Sequence, residues 1–109
     1  MTVAELLKMP ALAVANDGEN GETALSGVYC CDLLSCVMGE CPADSVWITV
    51  MNNINTLAVA SLTDCAAVVL ACGIKPDSAM IAKARQQGIT LLTSEQPVFE
   101  TALSIHNLL

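Results

Sequence analysis

The sequence predicts a single α/β domain spanning residues 1–109, with a mostly parallel or mixed sheet of about four to five strands and flanking helices. Three observations predict it. From about residue 44 onward, apolar strand-like runs and capped helical segments follow in the order β-α-β-α-β-α, which implies right-handed crossovers and a largely parallel sheet. The run Ala66–Ala71 is apolar without a break, as expected of a strand covered on both faces. The core material is small: 54% of residues are hydrophobic but only 3% aromatic, so Ala, Val, Leu and Ile must pack strands and helices closely. A chain of 109 residues suffices for one core and is too short for two.

Each element has a local reason. Thr2 caps a short first helix, with Glu5 completing a capping box before Leu6 and Leu7, and Pro10 ends it. Ala11–Ala15 reads as a buried strand, followed by a polar turn, Asn16–Gly21, rich in residues that tolerate positive φ. Ala24–Cys31 reads as a second strand, in which Gly27 marks a bulge or a close backbone approach. Asp32 is placed to cap a helix over Leu33–Met38, and residues 39–44 form a loop. Val46–Met51 is a strand by its Val, Trp, Ile and Thr content. After the turn at Asn52–Asn55, Asn55 caps a helix to about Leu62, and the strand Ala66–Ala71 follows. Pro76 and Asp77 open a helix through Gln87 that Gly88 stops. Ile89–Thr93 is the last strand, and Ser94 caps a final helix with an apolar stripe of Val98, Phe99, Ala102, Leu103, Ile105 and Leu109.

Charge narrows the partners. Four Lys and Arg stand against 11 Asp and Glu, a formal net charge of −7, so the basic footprint that nucleic acid or an anionic membrane requires is missing. The longest apolar run, Cys65–Ile74, is far short of the roughly 18 residues of a membrane span. Ala11–Ala15 resembles a small-residue cleavage site, but Glu5 and Lys8 interrupt the preceding segment and it lacks a basic start. The expected location is the cytoplasm, where six cysteines are free thiols.

Asp32-Leu-Leu-Ser-Cys-Val-Met38, Val46-Trp-Ile-Thr-Val50, Asn55-Thr-Leu-Ala-Val-Ala-Ser-Leu62 and the Lys83-Ala84…Gly88-Ile89 segment resemble the DRTGG domain over nearly the whole chain, in its stand-alone form. In place of the namesake stretch stands Glu22-Thr-Ala-Leu-Ser-Gly27, which retains only Gly27, and Asn52 and Asn53 occupy a turn where relatives tend to carry His. The resemblance implies an α/β fold akin to the N-terminal domain of HPr kinase/phosphorylase. It also implies a regulatory or dimer-forming role of the kind this domain plays in phosphotransacetylases and, beside CBS domains, in nucleotide-regulated pyrophosphatases, and not a catalytic one.

The residues themselves offer three kinds of chemistry. In parallel α/β sheets, ligands bind at the carboxyl ends of strands, beside helix N-termini. Here that edge gathers Asp32, Asn52, Asn53, Asn55, Gly73, Thr93 and Ser94, amides and hydroxyls suited to a small polar ligand or nucleotide. Asp32, Asn55 and Ser94 are each explained by capping alone, whereas the Asn52-Asn53 pair exceeds what one cap needs. Secondly, Cys31, Cys36 and Cys41 are evenly spaced, which supports an alternative reading as an accessory protein for redox or iron–sulfur enzymes using metal or thiol chemistry. Against it, there is no Cys-x2-Cys pair, the one histidine is the distant His106, and no basic residue flanks Cys30 and Cys31. Thirdly, the Ala-rich helix Thr56–Leu62 has small residues on several sides, as a homodimer interface would. No Gly-x-Gly-x-x-Gly, phosphate-binding loop or Gly-x-Ser-x-Gly occurs, so the expectation is a non-catalytic regulatory module without a cofactor, acting as a homodimer or on a partner enzyme.

Overall fold

In the computed structural model, which describes residues 1–109, each short apolar run becomes a strand and each capped segment a helix. The order is α1 (Val3–Leu7), β1 (Leu12–Asn16), β2 (Val28–Cys30), α2 (Leu34–Glu40), β3 (Val46–Thr49), α3 (Ile54–Thr63), β4 (Ala67–Leu70), α4 (Ser78–Gln87), β5 (Leu91–Ser94) and α5 (Val98–His106). The five strands form one mixed sheet in the order β1-β5-β4-β3-β2. β2 to β5 run parallel, and β1 joins β5 antiparallel with a bulge between Val14 and Asn16.

The central strands are buried on both faces, and their alternation splits the core in two. Val46, Ile48, Ala67, Val69 and Leu92 pack with Leu6 of α1 and Ile105 of α5 on one face. Trp47, Val68, Leu70 and Leu91 pack on the other with Val37 of α2, Leu57 and Ala60 of α3, and Met80 and Ala84 of α4. Each fully buried Val, Leu or Ile contributes about 1.5–3 kcal/mol relative to exposure, more than a helix cap does, so strands dominate the fold. No helix is long and apolar enough to cross a membrane.

Local signals hold where nothing distant competes. Thr2 and Glu5 form the capping box, Asp77 accepts from the Met80 N–H at 2.8 Å, and Gly88 ends α4 at φ 67°. Three other caps fall elsewhere, two of them because the side chain finds a tertiary partner and one because a neighbouring Asn takes the cap. The N-cap of α2 is Leu33, without a side-chain bond, because Asp32 turns to β3. The cap of α3 is Asn53, which accepts from the N–H of Asn55, so Asn55 lies inside the first turn. Pro97 occupies the N-cap of α5, and Ser94 stays in β5 with its hydroxyl bonded to Thr101. The apolar stripe of α5 is only half covered: Ile105 is buried, whereas Phe99 and Leu103 are exposed and Leu109 lies past the helix.

The larger departure is the second strand, which is three residues long instead of Ala24–Cys31. The missing part belongs to a strap, residues 17–27, that carries the chain from one sheet edge to the other beneath the amino ends of β5, β4 and β3. Thr90 accepts from the Gly18 N–H and donates to Asn20 Oδ1, Asn20 Nδ2 donates to Ala66 O at 2.9 Å, and the Ser26 N–H donates to Asp44 O at 2.9 Å. The N–H groups of Val3 and Ala4 then donate to Thr23 O and Gly21 O, which tie α1 to the strap. Gly27 has open space around it and no bulge; the close approach is at Gly18.

A Cβ at Gly18 would come within 2.5 Å of Gly88 O and 2.6 Å of the Thr90 N atom, both backbone and unable to yield cheaply. Gly18→Ala is expected to destabilise by about 2–3 kcal/mol. Urea unfolding followed at Trp47 measures this, with Gly27→Ala, expected to change stability little, as the control.

Candidate functional site

Because β2 to β5 are parallel and in register (Cys30 beside Ile48, Thr49 beside Leu70, Leu70 beside Thr93), their carboxyl ends emerge on one edge and deliver four loops side by side. These loops are cross-tied. Asp32, after β2, accepts at one carboxylate oxygen from the buried Thr49 hydroxyl at 2.7 Å and from the Val50 N–H at 3.1 Å. Asn52 reaches the next loop, donating through Nδ2 to Lys75 O at 3.2 Å. Lys75 reaches the one after, in an ion pair with Glu95. The N–H groups of Cys72 and Gly73 donate to Gln96 O and Ser94 O at 2.8 and 2.9 Å, which forces both residues into the left-handed region at φ 62° and 70°. Glycine is required at 73 for a second reason: a Cβ there would lie 2.8 Å from a Glu95 carboxylate oxygen.

Of the residues expected at this edge, Asp32, Asn52, Asn53, Asn55 and Gly73 come to its surface. Thr93 and Ser94 do not. They are 6% and 2% exposed as the last residues of a strand covered on both faces, and the Ser94 hydroxyl is engaged by Thr101 at 2.8 Å and by the Gln96 N–H. Thr49, Lys75 and Glu95 complete the edge. In the sequence Thr49 is only a strand residue and Glu95 carries no signal of this role, since their partners lie 17 and 20 residues away. The edge is a surface and not a cavity. A concavity of about 250 Å³ lies elsewhere, lined by Val28, Cys30, Phe99, Ala102, Leu103 and His106. Phe99 and Leu103 there were expected only as a core stripe.

Cys31, Cys36 and Cys41 do not converge as metal ligands, and no three His, Cys, Asp or Glu side chains form a group that could hold a metal ion. The Cys41 thiol sits 3.3 Å from the Ser45 hydroxyl and beside Cys65. All six thiols are free. Burial, with the Cys31 thiol adding to it, pushes Cys36 up and Tyr29 up to about 12. Burial and the Asp32 carboxylate push Cys30 up. Burial and the neighbouring Cys41 raise Cys65 to about 12. These groups stay protonated near neutrality, contrary to what thiolate chemistry needs.

Neither a family model nor a curated protein sequence matches the chain. Among solved structures, it is similar to the CBS and DRTGG domains of the regulatory region of Clostridium perfringens pyrophosphatase complexed with its activator, diadenosine tetraphosphate, with a TM-score of 0.65. The fold is DRTGG-like. The match covers 85% of this chain and 40% of that one at 16% identity, so the likeness is one of fold.

Asp32→Ala is expected to cost about 1–2 kcal/mol by orphaning the buried Thr49 hydroxyl, while Asp32→Asn, which keeps an acceptor, should cost less than half of that; denaturant titration separates them. The fold favours the protonated Cys65 thiol, so its contribution is intact below the ordinary value of 9.0 and is lost as pH rises from there to about 12. The urea midpoint should fall across that window, and less steeply in Cys65→Ala.

Proposed function

We propose that this chain is a non-catalytic regulatory module that binds a small polar ligand, with a nucleotide as the leading class, at the loops ending β2 to β5. The observation that carries the reading is the cross-tying of those loops: Asp32 to Thr49, Asn52 to Lys75 and Lys75 to Glu95 hold exposed amides in a fixed array. A fixed polar array spends little entropy on binding. Parallel α/β folds bind at this edge, and the pyrophosphatase region that shares the fold is complexed with a nucleotide activator. Lys75 is partly neutralised by Glu95, so base and ribose contacts to Asn52, Asn53 and Asn55 outweigh phosphate contacts in this reading. The proposed setting is cytoplasmic, in the service of a partner enzyme. The chain would act as a homodimer packed through the exposed side of α3, where Ile54, Ala58, Ser61 and Leu62 face solvent.

Trp47 is a native reporter of this edge, being fully buried with its Nε1–H donating to Cys31 O at 2.9 Å, one residue before Asp32. The test is the melting temperature followed at Trp47 with diadenosine tetraphosphate, mononucleotides and a set of uncharged polar metabolites. A ligand at about 100 times its Kd adds about 2.7 kcal/mol, a rise of several degrees for a domain this size. The expected result is such a rise with a nucleotide, abolished in Asn52→Ala and Asn55→Ala. A flat response to every compound overturns the ligand reading.

A further inference from the structure

The apolar concavity and the open edge of the sheet are the same place. β2 pairs only with β3 and is the last strand of the sheet. The Val46 N–H donates to Gly27 O at 2.9 Å and the Cys31 N–H to Ile48 O at 3.3 Å. In a parallel ladder these two bonds set the alternation: Gly27, Tyr29 and Cys31 face β3, and the backbone groups of Val28 and Cys30 face outward. The side chains of the same two residues floor the concavity, and Phe99, Leu103 and His106 of α5 form its wall. Phe99 is 68% and Leu103 43% exposed, two large apolar side chains left side by side in solvent. Backbone donors and acceptors along one side of a trough, with an apolar wall on the other, fit an added strand: main-chain bonds supply affinity and alternate side chains enter the trough.

Charge selects what that strand carries. All four basic residues, Lys8, Lys75, Lys83 and Arg85, lie off β2, α2 and α5. Around the edge stand Asp32 at its carboxyl end, Asp44, whose carbonyl holds Ser26 ahead of its amino end, Glu40 on α2 and Glu100 on α5. A second copy seated edge to edge here would set its own Asp32, Glu40, Asp44 and Glu100 against these.

We propose that the β2–α5 trough docks an extended segment of a partner protein as a sixth strand, with apolar residues at alternate positions and Lys or Arg at its ends. The probe is the fluorescein-labelled peptide Lys-Lys-Val-Thr-Val-Thr-Val-Lys-Lys, titrated with the full chain by fluorescence anisotropy. Binding with a Kd below about 1 mM is expected. It should weaken at least about tenfold when the peptide ends are Glu, when alternate peptide nitrogens in one of the two registers are methylated, or in Leu103→Glu, a surface change that should leave circular dichroism and melting unaltered. Bound peptide should also slow alkylation of Cys30 but not of Cys72, read by mass spectrometry. No binding at about 1 mM overturns the proposal, as does equal binding of both methylated peptides or protection of Cys72 alone. So does a dimer in sedimentation that Leu103→Glu dissociates and the peptide leaves intact, because the trough then belongs to a second copy.

Discussion

The hydroxyl of Thr90 is the point on which the topology rests. It accepts from the Gly18 N–H and donates to Asn20, whose amide continues to Ala66 O. Through that relay the strap crosses under the sheet, and only through the strap can β1 and β2, neighbours in sequence, end as opposite edges of one sheet. Thr90 is fully buried, and its bonds satisfy polar groups that would otherwise cost about 1–3 kcal/mol each. The two-sided burial of β3, β4 and β5 then places α1 with α5 on one face and α2 to α4 on the other, and the parallel register aligns the four loops of the polar edge.

The half of the fold after residue 44 was legible because its information is local. Val46–Met51, Ala66–Ala71 and Ile89–Thr93 are apolar runs that any sheet would bury, and Asp77 and Gly88 act within one helical turn. The half before it was read as elements without places, since nothing within residues 11–31 says that one strand will pair antiparallel at one edge and the other parallel at the far edge. Ala24–Ser26 has strand-like composition, but the Leu25 N–H donates to Met1 O and the Ser26 N–H to Asp44 O, so this stretch does not join β3. The same competition explains the polar edge. Asp32 and Ser94 look like caps because capping is the only local use of a short polar side chain, yet Thr49 and Thr101 offered shorter and drier bonds.

The molecule presents two unlike borders. Along the carboxyl ends of the strands the surface is amide, carboxylate and a single lysine, held by bonds between loops. At the free side of β2 it is hydrocarbon and unpaired backbone. Asp32 belongs to the first and follows directly on the second, one residue beyond Cys31, whose carbonyl also holds the indole of Trp47. The two borders therefore meet at a corner of three residues, anchored to the largest buried side chain of the core.

The antiparallel seam between β1 and β5 has a consequence for how the protein is made. Leu12 pairs with Ser94 and Asn16 with Leu91, so 75 to 82 residues of chain separate the two sides of the seam. A ribosome adding about 5–20 residues per second needs roughly 4–16 s to travel that distance. Throughout that interval β1 has no partner strand, while β3, α3 and β4 can already assemble from near neighbours. β1 is thus the strand seated last, held without its ladder partner until β5 emerges.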